Sequence, residues 1–157
     1  MLRRVGKLGW AAVLGLVLAA SAPAGLTHAQ PGSPVVVRLE VRVPKEYVLH
    51  VRTSIGLAHP FQAGLKLTRS PQGTPWPPDP EHYVENALPL EWKLNVPKTA
   101  KLGDYPLRFE GDVYFCNTGK GLCLKQKAAA QGVLRVGKQG QDRVGVMEIR
   151  ADRPFGF

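Results

Sequence analysis

The sequence predicts an all-β protein, an antiparallel β-sandwich of about eight strands, and three observations carry that prediction. Glycine (17) and proline (14) are abundant among the 157 residues. Such punctuation suits many short strands and turns better than long helices. Apolar and polar residues alternate over several stretches, the period-two signature of strands with one buried face. No stretch has the spacing of an amphipathic helix of three turns; Ala128–Ala130 is too short. A closed barrel uses the same alternation and stays open as an alternative.

The first segment reads as an address. Arg3, Arg4 and Lys7 precede an apolar run from Trp10 to Ala20, and a small, Pro-interrupted stretch follows to Ala29. This is the three-part layout of a secretory signal, expected over residues 1–29. Thr27 and Ala29 offer one pair of small residues before a cut; Ala22-Pro23-Ala24 offers another. The apolar run is 11 residues long, well short of the ~20 of a spanning helix. A retained anchor is the alternative. A cut after Ala29 leaves residues 30–157 as a single sandwich domain in the periplasm or secreted. Three basic residues leave with the leader, so the formal charge of +9 falls to +6. The remaining lysines and arginines interleave with acids, as in Lys45-Glu46 and Asp142-Arg143. A nucleic-acid surface needs them clustered.

Strands follow in order. Val37, Leu39, Val41 and Val43 share one face of Val35–Val43, with Arg38, Glu40 and Arg42 opposite, and Pro44 stops the run. Tyr47–Arg52 and Gly64–Thr68 are the next two. Leu88, Leu90, Trp92, Leu94 and Val96 alternate before Pro97. Tyr105, Leu107, Phe109, Val113 and Phe115 share a face of Tyr105–Phe115. Leu122–Gln126, Gly132–Val136 and Arg143–Ile149 complete the set, and the tail to Phe155 and Phe157 either tucks onto the sandwich or stays loose. Between them, residues 70–85 hold Pro71, Pro75, Pro77, Pro78 and Pro80. Proline removes ladder donors, so this segment is expected as a stiff surface loop with polyproline character. Trp76 and Tyr83 within it either cover a site or pin the loop to the domain.

The concentrated chemistry lies in Tyr114-Phe115-Cys116-Asn117-Thr118-Gly119-Lys120-Gly121-Leu122-Cys123-Leu124. The chain's two cysteines stand seven positions apart around a Gly-containing connection that lets the chain reverse. In an exported protein they should form a disulfide. On an unbroken strand Cys116 falls on the polar face of Arg108, Glu110, Asp112 and Tyr114, where a working thiol would have access; a bulge at Gly111 would reverse that. Lys120, Lys125 and Lys127 are close in sequence and would favour a thiolate if near in space; facing water on a hairpin is the other reading.

This run resembles the redox motif of the DsbD amino-terminal domain family: a strand ending in an aromatic and a cysteine, a Gly-containing turn, then Gly-Leu-Cys-Leu. The resemblance implies an immunoglobulin-like sandwich in the periplasm. It implies that Cys116 and Cys123 cycle between dithiol and disulfide without a cofactor or metal. It also implies a membrane electron-transfer protein as electron source, and thioredoxin-like or other periplasmic thiol proteins as acceptors. By the same resemblance Cys123 faces the partner, and an aromatic cap, here the segment through Tyr83, shields the pair; Tyr114, Lys120 and Lys125 are further candidates for tuning it. A secreted binding or scaffold domain with an inert disulfide is the competing reading. His50, His59 and His82 lack metal-ligand spacing, and no phosphate loop or nucleophile elbow is present. Asp79, Glu81 and Glu85 read as solvated surface.

Overall fold

The computed structural model describes residues 25–62 and 67–151. Among them are eleven strands: β1 Gly25–Ala29, β2 Pro34–Arg42, β3 Tyr47–His50, β4 Ser54–Ala58, β5 Leu67–Arg69, β6 Thr74–Pro75, β7 Tyr83–Glu85, β8 Leu90–Asn95, β9 Gly103–Asn117, β10 Cys123–Val136 and β11 Gly145–Glu148. They form two packed sheets. The larger has the order β1-β10-β9-β3-β7-β6, with β4 also on β9 and β5 on β4; the smaller is β11-β2-β8. The apolar run expected as a leader core lies outside the described residues, as do Gly64–Lys66 of the third expected strand and the tail phenylalanines.

Alternation fixes which faces meet. Val37, Leu39 and Val41 of β2 and Leu90, Trp92 and Leu94 of β8 are buried against Leu107, Phe109, Val113 and Phe115 of β9. Trp92 and Phe109 meet across the sheets with ring centroids 5.3 Å apart. The buried indole N–H needs a partner; Trp92 Nε1 donates to the Leu67 carbonyl at 2.6 Å and ties β8 to β5. At the opposite side, Leu26 and Arg143 exchange two backbone hydrogen bonds of 2.9 and 2.7 Å.

The strands differ from the expected eight for identifiable reasons: one merger lowers the count, and β1, β4, β6 and β7 raise it to eleven. Leu122–Gln126 and Gly132–Val136 are one strand, β10, which carries Ala128–Ala130 through its middle. The Pro-rich segment contains the short hairpin β6–β7; Pro75 sits on the outermost strand, where a missing donor costs nothing. β4 follows β3 after a corner at Thr53, whose hydroxyl donates to the Tyr114 carbonyl (3.1 Å) and accepts from the Tyr114 N–H (3.0 Å). β1 falls within the stretch assigned to the leader, so the sandwich takes in Gly25–Ala29. The sheets are mixed rather than purely antiparallel: β1 runs parallel to β10, and β11 parallel to β2. Leu88 precedes β8 and is 61% exposed, so it does not share the buried face.

Gly111 makes no bulge. The β9–β10 ladder runs unbroken from Gly103↔Val136 to Cys116↔Cys123. Close approach explains the glycine: a Cβ there would run into the Ser54 carbonyl oxygen and come within 2.8 Å of Ile55 Cα.

Candidate functional site

The end of the β9–β10 hairpin is held by one side chain. Asn117 is buried, and its Oδ1 accepts from the backbone N–H groups of Gly119 (3.0 Å) and Lys120 (2.8 Å). Gly121 takes φ +63°, a conformation open to glycine, and donates to the Asn117 carbonyl. The Asn117 N–H in turn donates to the Leu122 carbonyl at 2.8 Å. That makes Asn117–Leu122 a hydrogen-bonded pair, so the next pair, Cys116–Cys123, is a non-hydrogen-bonded one, where side chains approach most closely. The two cysteines are joined in a disulfide, with Cα atoms 4.0 Å apart.

The sulfurs differ in environment. Cys123 is exposed, whereas Cys116 is only 6% exposed. Strand parity does put Cys116 on the face of Tyr114 and Asp112, but that face is covered here. β3 pairs beside it through Val48↔Cys116, and β7, paired to β3 through His50↔Tyr83, brings Tyr83 over the disulfide. The access expected for Cys116 from parity alone is therefore lost to the segment folded back on it.

The Tyr83 hydroxyl lies 3.2 Å from Cys116 Sγ and 3.6 Å from Cys123 Sγ. A disulfide sulfur carries no hydrogen, so the phenol is the donor. Trp76 stands edge-on to Tyr83 (centroids 5.8 Å) and His50 does so from another side (4.8 Å). The Trp76 N–H donates to the Tyr83 carbonyl at 3.0 Å. Trp76 thus both pins the Pro-rich segment and braces the tyrosine.

Behind Tyr83 lie two histidines and an acid. His82 Nδ1 donates to Asp79 Oδ1 at 2.8 Å. His50 Nδ1 accepts from the Arg52 N–H at 3.0 Å, leaving its proton on Nε2. Burial first, then the charges of Arg52 and His82, push His50 below the ordinary imidazole range, against the pull of Asp79. Sequence spacing gave no reason to join His50 to His82; only the β3–β7 ladder does so. Among the described residues no group of three or more His, Cys, Asp or Glu is placed to hold a metal ion.

The remaining candidates stand off the sulfurs. Lys125 Nζ is 3.1 Å from Asp112 Oδ2 and 5.3 Å from the Tyr114 ring centre. Its hydrogen bonds, first to Tyr114 and then to Asp112, hold it above the ordinary lysine range. Tyr114 is two pairs along from the disulfide, opposite Lys125. Lys120 sits in the turn, engaged through its backbone N–H. Of the side chains expected to act on the pair, the structure brings Tyr83 alone into contact with the sulfurs.

No family model matches this chain, and no curated protein matches it.

Proposed function

We propose that this all-β, disulfide-bearing domain is an exported thiol–disulfide exchange module working through Cys116 and Cys123, with an immunoglobulin-like sandwich as its frame. The observation that carries the reading is the asymmetry of the pair: one exposed cysteine, one buried cysteine, and a phenol donor near both sulfurs. A partner thiolate attacks exposed Cys123 Sγ. The new disulfide joins partner to Cys123, the Cys116–Cys123 bond breaks, and Cys116 leaves as a thiolate that accepts the Tyr83 hydrogen bond. A hydrogen bond to an ionised acceptor is stronger than to a neutral one, so Tyr83 stabilises the leaving group more than the ground state. The partner's second thiolate then attacks its own sulfur in the mixed disulfide and releases Cys123. Two electrons pass from the partner dithiol to the pair, which takes up two protons from solvent; the reverse sequence passes them on. The DsbD resemblance supplies the partner classes for this reading, a membrane electron-transfer protein on one side and periplasmic thiol proteins on the other. Export fits a cut after Ala24, which leaves β1 in the domain.

The second reading is a binding or scaffold domain stapled by an inert disulfide. Burial of Cys116 and its place at the closed end of a hairpin favour it. An eight-residue closed loop contributes about 2.5 kcal/mol in the loop-entropy model. The reduction potential separates the two. Structural disulfides lie below about −300 mV; a value there, with resistance to thioredoxin in the folded protein, overturns the exchange reading. Replacing Cys116 with Ser should trap a mixed disulfide on Cys123 in periplasmic extract.

A further inference from the structure

On its outer side β10 is paired for only part of its length. β1 covers Gly132–Val136, and among the described residues nothing pairs with Cys123–Gln131 on that side. The hydrogen-bonded pair Asn117–Leu122 sets the phase of the ladder, so Leu124, Gln126, Ala128 and Ala130 bond to β9. Cys123, Lys125, Lys127, Ala129 and Gln131 then turn their backbone N–H and C=O groups away from β9, toward open solvent, and these same residues are exposed. Unpaired edges are a template for another strand. The sheet's far edge, β6, is blunted by proline. This one holds no proline and no bulge, has small side chains at Ala128–Ala130, and starts at the exposed residue Cys123.

Charge specifies the occupant. The chain carries no Asp or Glu between Asp112 and Asp142, while Lys120, Lys125 and Lys127 line the turn and the edge. Lys125 is paired with Asp112, and behind the edge Glu110 lies 3.5 Å from Arg108. Lys120 and Lys127 have no ion-pair partner among the described residues. A second copy adding to this edge would set lysines against lysines, which is unfavourable across strands.

We propose that the open edge Cys123–Gln131 docks an extended, acidic, cysteine-bearing segment of the exchange partner, which adds to β10 as a strand and thereby presents its thiolate to Cys123 Sγ. This rests on the exchange reading for its chemistry, but docking and exchange are measured separately. In strand addition, main-chain bonds supply affinity and alternate side chains supply specificity. Acids at every second position would lie beside Lys125 and Lys127.

The test uses the purified domain and a ten-residue peptide alternating valine and glutamate, with serine at a central position; a valine–lysine peptide is the charge control. The glutamate peptide should shift the amide resonances of Lys125, Lys127 and Ala129, bind at least tenfold more tightly than the lysine peptide, and weaken with salt. Ala129→Pro removes one outward N–H and no bond to β9, and should weaken binding tenfold or more. Lys127→Glu, which leaves the backbone intact, should do the same and reverse the peptide preference. Equal binding by both peptides, undiminished binding in both variants, or a concentration-dependent dimer through this edge would overturn the docking proposal. Exchange is then read with dithiothreitol and with the cysteine form of the peptide. A pair that resists both, in a protein that still binds the serine peptide at the edge, sinks the exchange reading and leaves the docking edge standing.

Discussion

Tyr83 is the residue whose substitution speaks most directly to chemistry. Tyr83→Phe keeps the ring between Trp76 and His50 and deletes the hydrogen bond to both sulfurs. A charge-assisted hydrogen bond contributes about 1.5–3 kcal/mol, and the half-exposed setting takes this toward the low end. Reduction by a small thiol at neutral pH is expected to slow about tenfold, followed by rapid-quench alkylation; an unchanged rate would show that the phenol covers the disulfide without assisting it. His59 gives a second residue-scale expectation. It is 8% exposed, and neither ring nitrogen has a hydrogen-bond partner among the described residues. Burial therefore pushes it below its ordinary value. The unfolded chain takes up the proton first as pH falls. Stability is thus full above an unfolded value of about 6.5 and is lost as pH drops from there through the lower folded value; His50 acts in the same direction. Urea midpoints should fall between pH 7.5 and 5, and His59→Phe should flatten that fall.

At the scale of elements, Gly111 is the expected weak point. Gly111→Ala forces β4 away from β9, and overpacking of this kind costs about 1–3 kcal/mol. The loss is measured as a drop in denaturant midpoint at unchanged slope; a neutral result would mean that the Ser54 carbonyl shifts aside freely. Elements built on simple alternation were legible in the sequence. β2, β8 and β9 stand where Val37–Val41, Leu90–Val96 and Leu107–Phe115 alternate, and the cysteine pair and its disulfide were legible from the Gly-containing turn. What stayed hidden was set by tertiary pairing. Ser54-Ile55-Gly56-Leu57 has no clean alternation and is a strand because β9 is there to receive it. Tyr83–Glu85 is too short to signal itself and is fixed by β3. Gly25–Ala29 resembled the end of a leader, because small and apolar residues serve both a signal-peptidase site and a buried strand. The covering of Cys116 was invisible for the same reason: strand parity reports a face but not what folds over it.

At the scale of the molecule, β1 decides where the domain begins. Thr27 and Ala29 are buried, His28 Nδ1 lies 3.0 Å from Asp142, and Leu26 is held by Arg143. A chain starting at Gln30 loses all of this, including two backbone hydrogen bonds that contribute roughly 1 kcal/mol each. If the leader is cut as proposed, the mature chain is expected to start at Gly25, read by intact mass, and a version starting at Gln30 should melt measurably lower. Gln30 at the natural terminus would show that the sandwich closes without β1. The same strand also governs timing. Gly25 pairs in parallel with Gly132, so the first strand of the domain waits for a partner 107 residues downstream. Long-range parallel pairing is slow to form, since loop-closure entropy must be met before any contact is gained. A chain synthesised from its amino terminus therefore cannot complete the larger sheet until nearly all of it is available. On the export reading, that delay would leave the polypeptide unfolded for translocation, and docking of β1 is the expected last step in completing the larger sheet.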